Sequence, residues 1–256
     1  MHFTVITLFP EIFTSFWENS IIRRALEEGH ISASAVNIRD FAKDRHRTTD
    51  DRPYGGGCGM VIKPEPLAAA IRSVKENAPD AKTILMTPQG RKFDQSVARE
   101  MAGEKEIIFI CGRYEGIDER ICRNFIDGEL SIGDYVLTGG EPAVMVVIDA
   151  VSRLIPGVLG CEDSAENDSF SRGLLEHGHF TRPGIFEGES VPEVLLSGNH
   201  QRIERWRRED SLIRTFLKRP DLLKTGKLHR EEVRILKKWQ DDIAKLIAFQ
   251  EREAQS

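Results

Sequence analysis

Up to about Pro156, short runs rich in β-branched and aromatic residues alternate with stretches whose apolar positions recur every three or four residues. This alternation predicts a mostly parallel sheet flanked by helices, an α/β arrangement. The predicted strands are residues 3–8, 33–38, 83–86, 107–111 and 125–130, and the predicted helices are 10–28, 65–77, 94–102, 117–123 and 142–154. In the last helix Val144, Val147, Ile148, Val151, Leu154 and Ile155 form one apolar face, and Pro142 suits the first helical turn.

From Gly157 to about Pro192 the residues change to Gly, Ser, Glu, Asn and Pro with few apolar positions, which predicts a long loop with little of it packed. Helices are predicted again over residues 199–218 and 230–253, the second with a stripe of Leu236, Trp239, Ile243, Leu246 and Ile247. The expected organisation is an α/β domain over 1–160, a linker or lid over 161–192 and a small all-helical C-terminal domain over 193–256.

Composition narrows the class. The 256 residues, 40% of them hydrophobic, can bury a substantial core without staples. Cys58, Cys111, Cys122 and Cys161 form no C-x-x-C pair, and the first ten residues read as a strand and not as a secretory segment. A reduced, cytoplasmic protein is expected, with no membrane partner. A net charge of -5 argues against a general polyanion binder, and no DNA partner is expected. The charge is uneven, however: from Asn199 onward there are 15 Lys and Arg against 10 Asp and Glu, whereas the first 198 residues hold 21 against 31. Arg202, Arg205, Arg207 and Arg208 flank Trp206, a combination suited to phosphates and an exposed base. A solvated helix face with a core Trp206 is the alternative.

Candidate chemistry gathers in three glycine-bearing turns that follow predicted strands: Thr87-Pro88-Gln89-Gly90, Gly112-Arg113-Tyr114-Glu115-Gly116, and Gly133 to Gly140. In an open α/β sheet the turns at the carboxyl ends of neighbouring strands converge on one crevice. Gly139-Gly140 before Pro142 is expected to present free backbone N–H groups, and Ile132, Tyr135 and Leu137 suit a flat heterocycle. Residues 55–60 fail the dinucleotide fingerprint, since Met60 stands where its last glycine belongs, and Gly226-Lys227-Leu228 is no P-loop. The glycine-dense stretch from Asp50 to Gly59 reads either as a flexible turn or as a lid contacting nucleic acid. His177 and His179 have metal-ligand spacing, but with no carboxylate at a fixed distance they read as structural or RNA contacts, and no metal ligand is assigned.

Several motifs, in one order along nearly the whole chain, resemble the bacterial tRNA (guanine-N1)-methyltransferase family. They are Asp51-Arg52-Pro53-Tyr54-Gly55-Gly56-Gly57, Pro88-Gln89-Gly90, residues 111–118, residues 131–142, residues 153–160, Asp168-Ser169-Phe170 and Thr181-Arg182-Pro183. Cys58 and Gly178 depart from that pattern, each standing where the family commonly has proline. The resemblance implies a SPOUT-class fold, in which the end of the sheet is tied into a C-terminal trefoil knot that binds S-adenosylmethionine. It also implies a homodimer with shared active sites, and an activity associated with magnesium. By position, Pro88, Gly112, Tyr114, Ile132, Gly133, Tyr135, Leu137, Gly139 and Gly140 would line the donor pocket.

The implied reaction is methyl transfer to N1 of the guanine 3′-adjacent to the tRNA anticodon. That nitrogen must lose a proton, so a base and good positioning are required. Asp168 matches the family's general base, its bland alternative being a helix cap. Arg153 would neutralise charge on the guanine O6, or serve as an ion pair at a helix end. Glu115 would hold the donor or the guanine edge, or form a surface salt bridge. Another SPOUT enzyme acting on ribosomal RNA or a ribose 2′-oxygen, and a non-catalytic RNA-binding module, are the competing readings.

Overall fold

The computed structural model describes residues 1–160, 165, 167–225 and 228–253. The chain divides into two units, Met1–Glu162 and Asp163–Ser256. In the first, a five-stranded sheet has the order β2-β1-β6-β5-β7, all neighbours parallel: β1 is His2–Thr7, β2 Ser32–Asn37, β5 Lys82–Lys92, β6 Glu106–Cys111 and β7 Gly128–Ser131. Two short antiparallel strands, β3 (Asp50–Asp51) and β4 (Val61–Ile62), stand apart.

Both faces of the sheet are covered, and the strand sequences show why. Phe3 and Val5 of β1 with Ile107, Phe109 and Cys111 of β6 enter one core; Ile6 of β1 with Ile108 and Ile110 of β6 enter the other. Alternate side chains point to opposite faces, and apolar residues facing both ways, with the small Thr4 and Thr7 of β1 buried among them, let a parallel strand bury both. Helices α2 (Ser20–Glu27), α4 (Gln95–Ala102) and α6 (Glu141–Ser152) cover the first face, whereas α3 (Pro64–Asn77) and α5 (Glu119–Phe125) cover the second.

Three predicted elements are corrected. The single helix expected over 10–28 is a 3-10 turn at Pro10–Phe13, a short α1 at Thr14–Trp17, and α2. It breaks at Asn19, whose backbone is extended and whose side-chain amide donates to the Ser15 carbonyl at 2.7 Å. That bond replaces the one a continuing helix would make. The strand expected at 83–86 runs on to Lys92, through Pro88-Gln89-Gly90, with an irregularity in its pairing to β7 between Met86 and Arg91. A bulge is where proline is tolerated in a sheet, and a Cβ on Gly90 would run into the Leu130 backbone. The first of the three turns is therefore a strand bulge and not a strand-to-helix loop. The strand expected from Phe125 starts at Gly128, because Phe125 ends α5, which Asp118 caps by accepting from the Arg120 N–H at 2.9 Å.

The second unit contains helices Glu193–Leu196, His200–Lys218, Pro220–Thr225 and Arg230–Glu253, with Asn199 capping the second of these, and a small antiparallel hairpin of Ile185–Phe186 with Glu189–Ser190. The expected unpacked loop is corrected as well. Val158 in the first unit and Ser171 and Leu174 in the second are buried, and Leu175 is fixed to the helix His200–Lys218 by Thr215 Oγ1 at 2.9 Å and Ser211 Oγ at 2.5 Å. On the last helix Ile243, Leu246 and Ile247 of the predicted stripe are exposed, whereas Leu236 and Trp239 are half-buried. No helix among the described residues is long and apolar enough to cross a membrane.

Candidate active site

The crevice lies at the carboxyl ends of β5, β6 and β7, where the three glycine-bearing segments meet around a cavity of about 420 Å³. That volume falls in the range of small-molecule sites. The first segment contributes Pro88; the second Gly112, Tyr114 and Glu115; the third Ile132, Gly133, Tyr135, Leu137, Gly139 and Gly140. All nine residues expected to line a donor pocket, and Glu115, thus border one space.

The third segment reaches back over β5 to the end of β6. Gly140 N–H donates to the Gly112 carbonyl at 3.0 Å, and Arg113 and Gly139 form an isolated antiparallel bridge. The expectation of a free N–H at Gly140 is corrected: that donor holds the second and third segments together. A Cβ on Gly140 would stand 2.9 Å from Cys111 Cα, so the approach requires glycine. Tyr135 folds onto its own segment, its hydroxyl donating to the Ile132 carbonyl at 3.3 Å.

Beneath these turns lies a charge pair that sequence reasoning missed. Glu141 at the start of α6 is fully buried, and its carboxylate meets Arg113 Nη2 at 3.1 Å. Thr7 at the end of β1, also fully buried, donates to the same carboxylate at 2.6 Å and accepts the Phe9 N–H at 3.0 Å. Arg113 also lies over the Phe9 ring at 4.7 Å and reaches the Thr138 carbonyl at 3.4 Å. A buried charge persists only where it is paired and hydrogen-bonded, and here the pairing joins β1, the turn after β6 and the entry to α6. The signal available in the sequence was Glu141 followed by an apolar helix face, but nothing there named its partners.

The glycine-dense stretch expected to be a turn or a lid is anchored at its far end. Glu115 N–H donates to the Met60 carbonyl at 3.0 Å and Ile62 N–H to the Gly116 carbonyl at 3.0 Å, while Tyr54 at the tip is fully exposed. The stretch therefore projects from the wall that carries Glu115. Burial raises the Cys111 thiol well above its ordinary range, with the Glu141 charge adding to the effect, and desolvation raises Cys122 as well. Neither is a candidate nucleophile.

The remaining expected residues are not among those that line this cavity. Arg153 is the C-terminal cap of α6, half-buried, its N–H on the Asp149 carbonyl at 3.2 Å. Asp168 belongs to the second unit and stands half-buried in a bend, its carbonyl accepting the Ser171 N–H at 3.1 Å. Turns and not a helix follow it, which removes the helix-cap alternative. Arg202, Arg205, Arg207 and Arg208 are exposed on the helix His200–Lys218; Arg205 pairs with Glu209 at 3.0 Å, Arg207 with Glu204 at 2.8 Å, and Arg208 with Glu231. Trp206 is half-buried, with ring centres of His177 at 6.2 Å and Phe180 at 6.1 Å. It is neither a bare stacking platform nor a core residue.

The family model described as tRNA (Guanine-1)-methyltransferase TrmD matches residues 1–225. A tRNA (guanine-N(1)-)-methyltransferase of Desulfatibacillum aliphaticivorans is 58% identical over 250 residues, covering 98% of this chain and 95% of the relative. One from Geobacter sulfurreducens is 59% identical over 228 residues, 89% of this chain and 93% of the relative. A third, from Syntrophotalea carbinolica, is 54% identical over 240 residues, 94% of this chain and 97% of the relative. With the match running through all three turns of the crevice and on into the second unit, the chain belongs to the tRNA (guanine-1)-methyltransferase family.

Proposed function

We propose that the chain transfers a methyl group from S-adenosylmethionine to N1 of the guanine 3′-adjacent to the tRNA anticodon, in the cytoplasm. The observation that carries this reading is the convergence of three separate turns on one cavity in a chain of this family. Ile132, Leu137 and Ala143 offer apolar contact, and the glycines let backbone close around a compact ligand, which fits the adenosine part of the donor. When bound, S-adenosylmethionine supplies an electrophilic sulfonium methyl, so the protein has only to orient it and to deprotonate the acceptor.

Asp168 accepts the N1 proton once the RNA places the guanine beside it. Arg153 faces the charge that then develops on O6, and Glu115 at the crevice wall holds the guanine edge or the donor. Arg202, Arg205, Arg207 and Arg208 bind the RNA backbone, with the protein's pairings to Glu204, Glu209 and Glu231 exchanged for phosphates.

A trefoil knot is part of the proposal. Its support is that the chain leaves edge strand β7, crosses the end of β5 and bonds to the turn after β6 before α6 packs onto the sheet. So is a homodimer in which the linker and helical domain of one subunit complete the cavity of the other, supported by Val136 on the third segment being 84% exposed in the single chain. Magnesium takes oxygen donors. Among the described residues the cluster of three metal-capable side chains is Glu176, His177 and His179, whose two nitrogens do not suit magnesium, and no step is routed through that ion. The test is incubation of unmodified tRNA with the chain and S-adenosylmethionine, followed by nucleoside analysis. N1-methylguanosine is expected, and methylated ribose or no product refutes the reading.

A further inference from the structure

We propose that Glu176, His177 and His179 form a binding site for a zinc-class divalent cation. Their potential ligand atoms all lie within 4.8 Å of one another. Glu176 Oε1 is already 3.0 Å from His179 Nε2, so the carboxylate that residue spacing alone did not reveal is the neighbour three positions back. The His177 and His179 rings are 4.7 Å apart.

The surroundings prepare these groups. His177 Nδ1 is 3.1 Å from the Gly178 carbonyl, a contact that places the ring proton on Nδ1 and leaves the Nε2 lone pair for a metal. This is the outer contact that orients ligating histidines in metal sites generally. The backbone of the segment is held at each end: Glu176 N–H donates to Ser169 Oγ at 3.0 Å, and Gly178 N–H to Asp210 Oδ2 at 2.6 Å. Asp210 is itself fixed by Arg214 Nε at 2.6 Å. A Cβ on Gly178 would meet the Arg214 guanidinium, so a larger residue there requires that side chain to shift. His177 thus supplies a ligand, and the Gly178 N–H bond to Asp210 fixes the backbone beside it.

Tetrahedral zinc with bonds of about 2.0 Å places its ligands about 3.3 Å apart, a contraction that side-chain rotation can supply from the present arrangement. Two imidazole nitrogens and one carboxylate oxygen make a borderline donor set that favours zinc over magnesium, and three protein ligands leave a fourth position to water. The inference does not depend on the methyl-transfer reading.

Its test is calorimetric titration of the full chain, stripped with a chelator, with zinc chloride, supported by cobalt chloride titration read in the visible spectrum. One ion per chain is expected, with four-coordinate cobalt bands and a change in emission from Trp206, whose ring centre lies 6.2 Å from that of His177. His177→Gln and His179→Gln are each expected to weaken zinc binding at least about tenfold, with calorimetric binding of S-adenosylmethionine retained as the control for folding. An ion pair without metal affinity would give no saturable zinc heat, and that result overturns the proposal. Undiminished one-to-one binding in the His177→Gln/His179→Gln double variant, or equal saturation by magnesium chloride, overturns it as well. Methyl transfer is followed separately, so failure of the metal site and failure of the enzymatic reading give different results.

Discussion

The buried contact between Thr7 and Glu141 offers a test of how the crevice is held. Thr7→Val keeps the side-chain shape and removes one hydroxyl, which donates to Glu141 at 2.6 Å and accepts from Phe9 N–H at 3.0 Å. A hydrogen bond to a charged group contributes about 1.5–3 kcal/mol net, and leaving a half-buried amide unpaired adds to the loss. With both Thr7 and Glu141 fully buried, water cannot take the hydroxyl's place, and a destabilisation of about 2–3 kcal/mol is expected. Read as urea unfolding with a slope near 3 kcal/mol/M, the midpoint falls by roughly 1 M or slightly less. Thr7 does not border the cavity, yet its partner begins the helix that Gly139 and Gly140 enter, so calorimetry should also show weaker S-adenosylmethionine binding. Arg113→Leu should cost more, about 3–5 kcal/mol, since it strips the buried carboxylate of its cation. A Thr7→Val midpoint within error of the parent, at unchanged slope, would refute the claim that this hydroxyl supports the carboxylate.

Asp168→Asn is expected to leave donor binding nearly intact and to slow single-turnover methyl transfer by about 10²–10⁴-fold, the usual contribution of a positioned base; near-normal turnover removes Asp168 from that role. Arg205→Ala and Arg207→Ala should each weaken tRNA binding and flatten its dependence on salt, measured by filter binding, with S-adenosylmethionine affinity unchanged. An unaltered salt slope returns their helix to a structural role. The raised Cys111 thiol has a pH consequence. Above the ordinary thiol pKa of about 8.5 the unfolded chain loses this proton while the folded chain keeps it, so stability declines as pH rises past that value. Cys111→Ala should flatten that alkaline decline in urea melts, and an unchanged decline would place its origin elsewhere.

The local pattern of the chain was enough to define the sheet and the helices over it, because a strand buried on both faces must be apolar at every position and a covering helix must repeat every three or four residues. Ile107 through Cys111 is plain in this respect, as is Phe3 through Ile6 apart from the buried Thr4, and so is the Val144 to Val151 face of α6. Where elements ended was less plain, since Asn19, Phe125 and Gly90 act through single contacts: a side-chain amide on a carbonyl, a ring on a core, and a backbone that meets another.

That three glycine-bearing segments meet in one crevice was legible in the sequence, because chain leaving the carboxyl ends of adjacent parallel strands shares a mouth, whereas the individual lining residues followed from the family resemblance. What tertiary structure alone decided was pairing across distance. Glu141 meets Thr7 and Arg113 from far along the chain, Gly140 spends its N–H on Gly112, and Glu176 turns back to His179 because Asp210 and Ser169 hold the segment between them. Charge and hydrogen-bond partners are chosen by proximity after folding, whereas periodicity is written into each element before it.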